Sequence, residues 1–351
     1  MGVAFRDVTK VFGDSTVALD GLDFAFETGE FVVLLGPSGS GKTTACRILA
    51  GLERPTSGRV EVGGRDVTAL PPRARGMSMV FQNYALYSHK TVYENIAYPL
   101  RVRSWPRAEI DGAVRESARL LRIDSLLGRR PRQLSGGEAQ RVAVARALVW
   151  QPDICLMDEP LSNLDALLRL QTRTELKRLH AELGRTFLFV THDQEEAMTL
   201  GTRVAILNQG RVVQFDTPRR IYHQPATRFV AEFIGRPAMN TINGVVGSGV
   251  FRAGGLELAA PSRPDGSVVL GMRPEDVVLH RSPASGAIPF RLEVIEPVEP
   301  DTLLFAGASG ISLVARVRED CSDLAGEQEI FLELPARHYH FFDPRTGVRL
   351  G

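Results

Sequence analysis

The 351-residue sequence is poor in lysine, tryptophan and cysteine, has no long hydrophobic run, and carries almost no excess of charge of either sign. Each shortage excludes something. Three cysteines, Cys46, Cys155 and Cys321, are too scattered and odd in number to make a disulfide framework. Apolar runs such as Phe31 to Leu35 stop at about five residues, whereas a membrane-spanning helix takes about 20, so any membrane crossing falls to partners. The opening MGVAFRDVTK has no apolar signal core, and with the cysteine usage this leads us to expect a reducing, cytoplasmic compartment. Forty-two basic against 41 acidic side chains leave a net charge of +1, which gives no electrostatic footprint for nucleic acid or an acidic bilayer. No nucleic-acid partner is expected.

What is present is ample material for cores, with 44% hydrophobic and 24% charged residues, and a length that argues for two domains. Leu22, Phe24 and Phe26 alternate with Asp23, Ala25 and Glu27, the two-residue period of a half-buried strand. FVVLL (31–35), ICLM (154–157) and TFLFV (186–190) are continuously apolar, as expected of parallel strands covered on both faces. Ile110, Val114, Ala118 and Leu121 repeat at helical spacing after Pro106, as do Leu164, Leu168, Leu176, Leu179 and Leu183, and residues from about 85 to 150 read as mainly helical. The fold class is α/β. From residue 236 the composition shifts to 11 Arg, no Lys and 15 acidic residues, a net of −4 against +5 on the first 235. There Phe290, Leu292 and Val294, and later Ile311, Leu313, Ala315 and Val317, alternate with polar neighbours between Gly and Pro punctuation, which predicts a small all-β domain over 236–351.

The strongest motif follows FVVLL directly. Gly36-Pro37-Ser38-Gly39-Ser40-Gly41-Lys42-Thr43-Thr44 fits G-x-x-x-x-G-K-[ST] in the strand-to-helix setting that it needs. Glycines let main-chain N–H groups turn inward as a nest, and the next helix adds its positive dipole end, so the motif predicts polyphosphate binding. Only four basic residues are lysine (Lys10, Lys42, Lys90, Lys177), yet one fills the slot where a compact ammonium suits a phosphate cradle. Thr43 is the expected Mg²⁺ ligand. Ile154-Cys-Leu-Met-Asp158-Glu159-Pro160 then ends a buried strand in two acids; beside bound phosphates, Asp158 is assigned to the metal and Glu159 to polarising the attacking water. Thr191-His192-Asp193 follows the next apolar strand and brings His192 to the same sheet edge.

Leu134-Ser135-Gly136-Gly137-Glu138-Ala139-Gln140-Arg141 contains an S-x-x-E capping box, and its two glycines free N–H groups for an anion. In company with the phosphate loop it resembles the signature sequence of ABC transporter ATPases. The resemblance implies a P-loop ATPase domain over 1–235, with a parallel-sheet core, an antiparallel β subdomain and a helical subdomain, followed by an OB-like β domain. It also implies a head-to-tail homodimer that sandwiches two ATP, with Ser135, Gly136 and Gly137 of one subunit facing the phosphates held by the other. Gln82, after Phe81, matches the Q-loop residue that touches Mg²⁺ or water and senses the transmembrane partner. Leu161-Ser-Asn-Leu-Asp165 matches the D-loop, His192 the switch histidine, and Phe12 either stacks on adenine or packs in the core.

Glu138, where glutamine is commoner, and the run Ser88-His89-Lys90 depart from the usual pattern. Pro237-Ala-Met-Asn240, Gly271-Met-Arg-Pro-Glu275 and His340-Phe-Phe-Asp-Pro look like the C-terminal TOBE domain of bacterial carbohydrate-uptake ATPases of the maltose and glycerol-3-phosphate type. Arg273 and Glu275 read equally well as a salt-bridged turn. The resemblance implies two permease subunits, an indirect solute-binding protein, a regulatory partner for the tail, and a peripheral place on the cytoplasmic face of the inner membrane. Roughly 92 residues from Thr43 to Ser135 leave no room for the long coiled coil of repair or chromosome ATPases. A single cassette argues against ribosome-associated factors, and the β-rich tail argues for import. A polyamine, iron or oxyanion importer is the alternative.

Overall fold

Continuous apolar runs become strands with no exposed face. Phe31–Leu35, Ile154–Asp158 and Thr186–Thr191 are buried along their whole length. In the computed structural model, which describes residues 2–13, 15–260, 263, 265–324 and 329–350, they lie in one six-stranded sheet. Its order is Arg211–Asp216, Arg203–Asn208, Phe31–Leu35, Thr186–Thr191, Ile154–Asp158 and Met77–Val80. All neighbours are parallel except the first pair, so only one edge is antiparallel. The connections between parallel neighbours need crossovers, and the helices Lys42–Ala50, Ala166–Leu183 and Gln194–Leu200 lie on those stretches of chain.

A four-stranded antiparallel sheet runs in the order Val17–Phe26, Val3–Val11, Ser57–Val62 and Arg65–Asp66. On its first strand Leu22, Phe24 and Phe26 are buried while Asp23 and Ala25 are exposed, as the alternation predicts. Phe24 stacks on Phe5 with ring centroids 5.1 Å apart, and both join Leu34 and Ile48 in one apolar cluster beneath the helix Lys42–Ala50. The region read as helical holds Val92–Val102, Arg107–Leu120 and Gly136–Leu148. Thr91 and Glu94 close a capping box on the first, and the second buries Ile110, Val114 and Ala118.

One buried arginine anchors the helix that carries Lys42. Arg75 donates to the carbonyls of Ile48 (2.7 Å) and Leu49 (2.8 Å) at the end of that helix, and to those of Thr68 (2.9 Å) and Leu70 (2.9 Å). Gly51, which ends the helix at a positive φ of 76°, leaves the space, since a Cβ there would lie 2.5 Å from Arg75 Nε. Arg75→Met is expected to lower unfolding free energy by about 3 kcal/mol, because four carbonyls lose one charged donor set in a site closed to water. Denaturant unfolding reads this, and a loss below about 0.5 kcal/mol would remove Arg75 from the anchoring role.

The chain divides into Met1–Arg219 and Arg220–Gly351, sixteen residues ahead of the compositional boundary at 235/236. The correction has a physical cause. The short helix Arg228–Phe233 lies before the shift in composition, but Ala231 packs with Met239, Val269 and Phe342, and Thr227 bridges to Val348. Among the described residues the later unit is mainly β, its helix confined to the end of Pro218–His223, to Arg228–Phe233 and to short turns at Pro274–Asp276, Ser322–Leu324 and Ala336–His338. One antiparallel sheet has the order Leu256–Ala259, Val250–Ala253, Asn240–Gly247, Gly266–Met272, His340–Phe342 and Arg349–Leu350; the other has Val278–His280, Glu329–Glu333, Ala287–Val298, Asp301–Ala308 and Ile311–Val317. Phe251 and Leu270 of the first and Phe290, Leu304, Leu313 and Leu332 of the second meet in one core.

Candidate nucleotide site

Four neighbouring parallel strands end at the same sheet edge, and each delivers one part of the site. Phe31–Leu35 leads into the Gly-rich loop, Thr186–Thr191 into His192, Ile154–Asp158 into Glu159, and Met77–Val80 into Gln82. Outside the carboxyl ends of parallel strands is where open α/β sheets bind ligands. The loop needs its glycines for close approach: a Cβ on Gly36 would lie 2.2 Å from the Leu207 carbonyl oxygen, and one on Gly41, at φ 98°, 2.4 Å from that of Ala18. Lys42 turns back into the loop and donates to the carbonyls of Gly36 (2.9 Å) and Pro37 (2.8 Å), with Ser40 Oγ at 3.4 Å. Its burial lowers its pKa, and the nearby charges of Glu159 and Asp158 oppose that shift.

Thr43 Oγ1 donates to Asp158 Oδ1 at 2.9 Å, which joins the helix start to the strand end. Asp158 is almost fully buried, and desolvation raises its pKa against the Thr43 bond and the charge of Arg47. Glu159 sits at φ +44°, a conformation that few non-glycine residues adopt. The turn is held by Glu159 N–H donating to Val190 O (3.0 Å) and by Ser162 Oγ donating to Glu159 O (3.0 Å). The Glu159 carboxylate receives Gln82 Nε2 at 3.4 Å and lies 3.4 Å from His192 Nδ1. The three expected catalytic side chains therefore converge in one chain.

Some site residues were not singled out in the sequence. Asn163 Nδ2 donates to Gln82 O at 3.0 Å, and Ser162 Oγ lies 3.5 Å from Gln82 Nε2, so the D-loop run holds the Gln82 segment. Thr191 Oγ1 donates to the buried Glu196 at 2.5 Å and accepts from Asp193 N–H at 3.0 Å, which fixes the backbone on both sides of His192. The signal was available: Asp193 followed by Glu196 has the spacing of a helix cap, and Asp193 caps Glu195 N and Glu196 N.

The signature segment forms the capping box read from its sequence: Ser135 N–H donates to Glu138 Oε2 at 2.7 Å and Glu138 N–H to Ser135 Oγ at 3.3 Å. Gly136 is exposed beside it, whereas Gly137 is buried, and a Cβ on Gly137 would lie 2.7 Å from Leu168 Cδ2. Gly137 thus lets the signature helix pack on the helix that follows the D-loop. Asp165 caps that helix through Leu168 N–H at 2.9 Å. Among the described residues no hydrogen bond or ion pair joins Ser135, Gly136, Gly137 or Asp165 to the Gly-rich loop of the same chain. Phe12 is 40% exposed, with Lys10 Nζ 4.8 Å from its ring centroid, so it is not a core residue.

Comparison with known proteins agrees with this geometry. The ABC transporter family pattern matches residues 19–162. The sn-glycerol-3-phosphate import ATP-binding protein UgpC of Salmonella typhi is 46% identical over 99% of both chains, and UgpC 2 of Agrobacterium fabrum is 45% identical over 99% of this chain and 94% of its own. Among solved structures, the ATP-binding cassette MJ0796, described as a dimer in a post-hydrolysis state bound to ADP and Pi, is 33% identical with a TM-score of 0.56, covering 62% of this chain and 99% of that one. CbiO1 of Clostridium perfringens, part of a cbiONQ ABC transporter complex, is 27% identical with a TM-score of 0.58, covering 62% of this chain and 89% of its own. A likeness that runs the length of the chain, together with the phosphate loop, the strand-end carboxylates and the signature helix, makes this protein a member of the ABC transporter ATP-binding family and an ATPase.

Proposed function

We propose that this chain powers import of a sugar, polyol or glycerol phosphate, with sn-glycerol-3-phosphate the first solute to test. The observation that carries the solute class is the full-length likeness to glycerol-3-phosphate import subunits from several bacteria. The rest of the reading follows from the site. Lys42 and the N–H groups of 36–44 bind the phosphates, Phe12 stacks on adenine, and Glu159 accepts the proton of the water that attacks the γ-phosphate. Gln82 and His192, which meet the Glu159 carboxylate, orient that water and contact the γ-phosphate.

Among the described residues no cluster of three or more His, Cys, Asp or Glu could cage a metal, but Mg²⁺ is commonly held by one or two protein oxygens plus phosphates and water. Thr43 Oγ1, the buried Asp158 carboxylate and the Gln82 amide oxygen are hard donors of that kind. When bound, Mg²⁺ neutralises charge on the β- and γ-phosphates. Ser135, Gly136, Gly137 and Asp165 act across a head-to-tail homodimer, a role supported by the likeness to the MJ0796 cassette, which is described as a dimer. Closure of that dimer drives two permease subunits at the cytoplasmic face of the inner membrane, which accept solute from a binding protein. The later unit, Arg220–Gly351, takes a regulator.

Uptake in cells whose only copy carries Glu159→Gln tests the solute. Labelled glycerol-3-phosphate, sugars, polyamines, iron and sulfate are compared, and loss confined to glycerol-3-phosphate or a sugar is expected. Loss confined to polyamine, iron or sulfate would overturn the solute class and leave the ATPase chemistry standing.

A further inference from the structure

The later unit holds a polar cavity of about 360 Å³ that ATP chemistry does not use. Arg273, from the Gly271-Met-Arg-Pro-Glu275 run, lines it while only 3% exposed. It is not the salt-bridged turn that its sequence allowed. Its terminal nitrogens donate to the carbonyls of Ala231 (3.0 Å), Ile234 and Tyr222 (2.9 Å), and the guanidinium lies 4.2 Å from the Tyr222 ring centroid. Its Nε is buried and has no partner. His340 lines the same cavity from a strand that sets it opposite Gly271, and its Nδ1 is also buried without a partner. Gly271 leaves room for the side chains packed on that strand, since a Cβ there would lie 2.6 Å from Met239 Sδ and 2.9 Å from the Phe342 ring. Most buried polar atoms find a hydrogen-bond partner, so two orphan nitrogens in one cavity point to a missing acceptor.

The charges around them say what kind. The two acids at the cavity are already engaged: Tyr222 Oη donates to Glu275, and His338 Nδ1 lies 3.1 Å from Asp276 Oδ1. Arg337 Nε donates to His338 Nε2 at 3.0 Å, which leaves the His338 Nδ1–H for Asp276. Arg349, half-buried at the cavity, has no ion pair among the described residues, and Arg263 repels it. Burial above all, and then the neighbouring Arg349, Arg273, His223 and His338, hold the His340 pKa down to about 4. The ring is therefore neutral at pH 7 in a field of positive sign.

We propose that this cavity binds a small oxyanion, a phosphate or carboxylate group, on the Arg273 Nε–H, the Nδ1–H tautomer of the neutral His340 ring and the Arg349 guanidinium. The site stands apart from the ATPase reading and does not depend on it. The test uses the full chain saturated with Mg²⁺ and ADP, so that the Gly-rich loop is occupied. Inorganic phosphate and malonate are titrated separately by calorimetry, while the His340 ring signals are followed by NMR. Saturable binding of at least one anion is expected, with the His340 pKa rising from about 4 toward the ordinary histidine range. Arg349→Gln and His340→Gln are each expected to weaken it about tenfold or more, since the first removes a positive charge and the second a ring donor to a charged ligand. Arg349→Lys, which keeps the charge, should fall between.

Binding of phosphate alone identifies a phosphoryl ligand, and of malonate alone a carboxylate; either supports the site. Basal ATP hydrolysis of the variants should equal wild type. If neither anion moves the His340 signals, or if binding is as tight in folded Arg349→Gln and His340→Gln as in wild type, the proposal is overturned.

Discussion

Glu159→Gln is expected to bind ATP and hydrolyse it about 10² to 10⁴ times more slowly than wild type, the range over which a positioned general base acts. The change is nearly isosteric. The amide oxygen still accepts from Gln82 Nε2, and the turn at φ +44° is set by main-chain bonds to Val190 and Ser162 that the substitution does not touch. Folding should therefore be unaffected. What disappears is the basicity, together with one negative charge close to Lys42 and Asp158. A phosphate chain carries several negative charges of its own, so ATP affinity should rise rather than fall. Because the bound nucleotide is not consumed, a dimer should accumulate with ATP and Mg²⁺ in size-exclusion chromatography. Phosphate release at the wild-type rate would take the base role from Glu159 and leave His192, whose side chain is more exposed than that of Glu159, as the group to test next.

The parts legible in the sequence were those whose cause is local. A continuous apolar run such as FVVLL admits only a strand covered on both faces, and Phe31–Leu35 has that environment. A glycine-rich loop between strand and helix, and a capping box whose donors and acceptors lie three residues apart, likewise depend on nothing distant. The parts not legible depend on partners far along the chain. Arg273 bonds to carbonyls 39 to 51 residues before it, and no periodicity records such a pairing. The start of the later unit at Arg220 was hidden for the same reason, since the residues from 220 to 235 are assigned by Ala231 packing on Val269 and Phe342, not by their own composition. The left-handed turn at Glu159 was also invisible, because it is imposed by the bonds to Val190 and Ser162 rather than by residue preference.

The second large effect is expected at Lys42. In Lys42→Met the aliphatic stem keeps its packing while the ammonium and its bonds to Gly36, Pro37 and Ser40 are lost. The consequences for folding and for binding separate. In the free protein the buried ammonium carries a desolvation cost, seen in its lowered pKa, and that cost offsets much of what its three bonds contribute. Stability without nucleotide should move by no more than about 1 kcal/mol, because a methionine of similar length fills the same space without a charge to desolvate. In the ATP complex the balance differs: the phosphates supply full negative charges where carbonyl dipoles stood, and bonds between charged partners are roughly twice as strong as neutral ones. Losing that pairing should weaken ATP binding by about 3 kcal/mol, a factor of about 100 in Kd. Titration with a fluorescent ATP analogue beside thermal unfolding of the free protein reads both numbers. A large drop in stability with unchanged affinity would make Lys42 a structural residue of the loop, whereas unchanged stability with a hundredfold loss of affinity is the signature of a phosphate-binding ammonium.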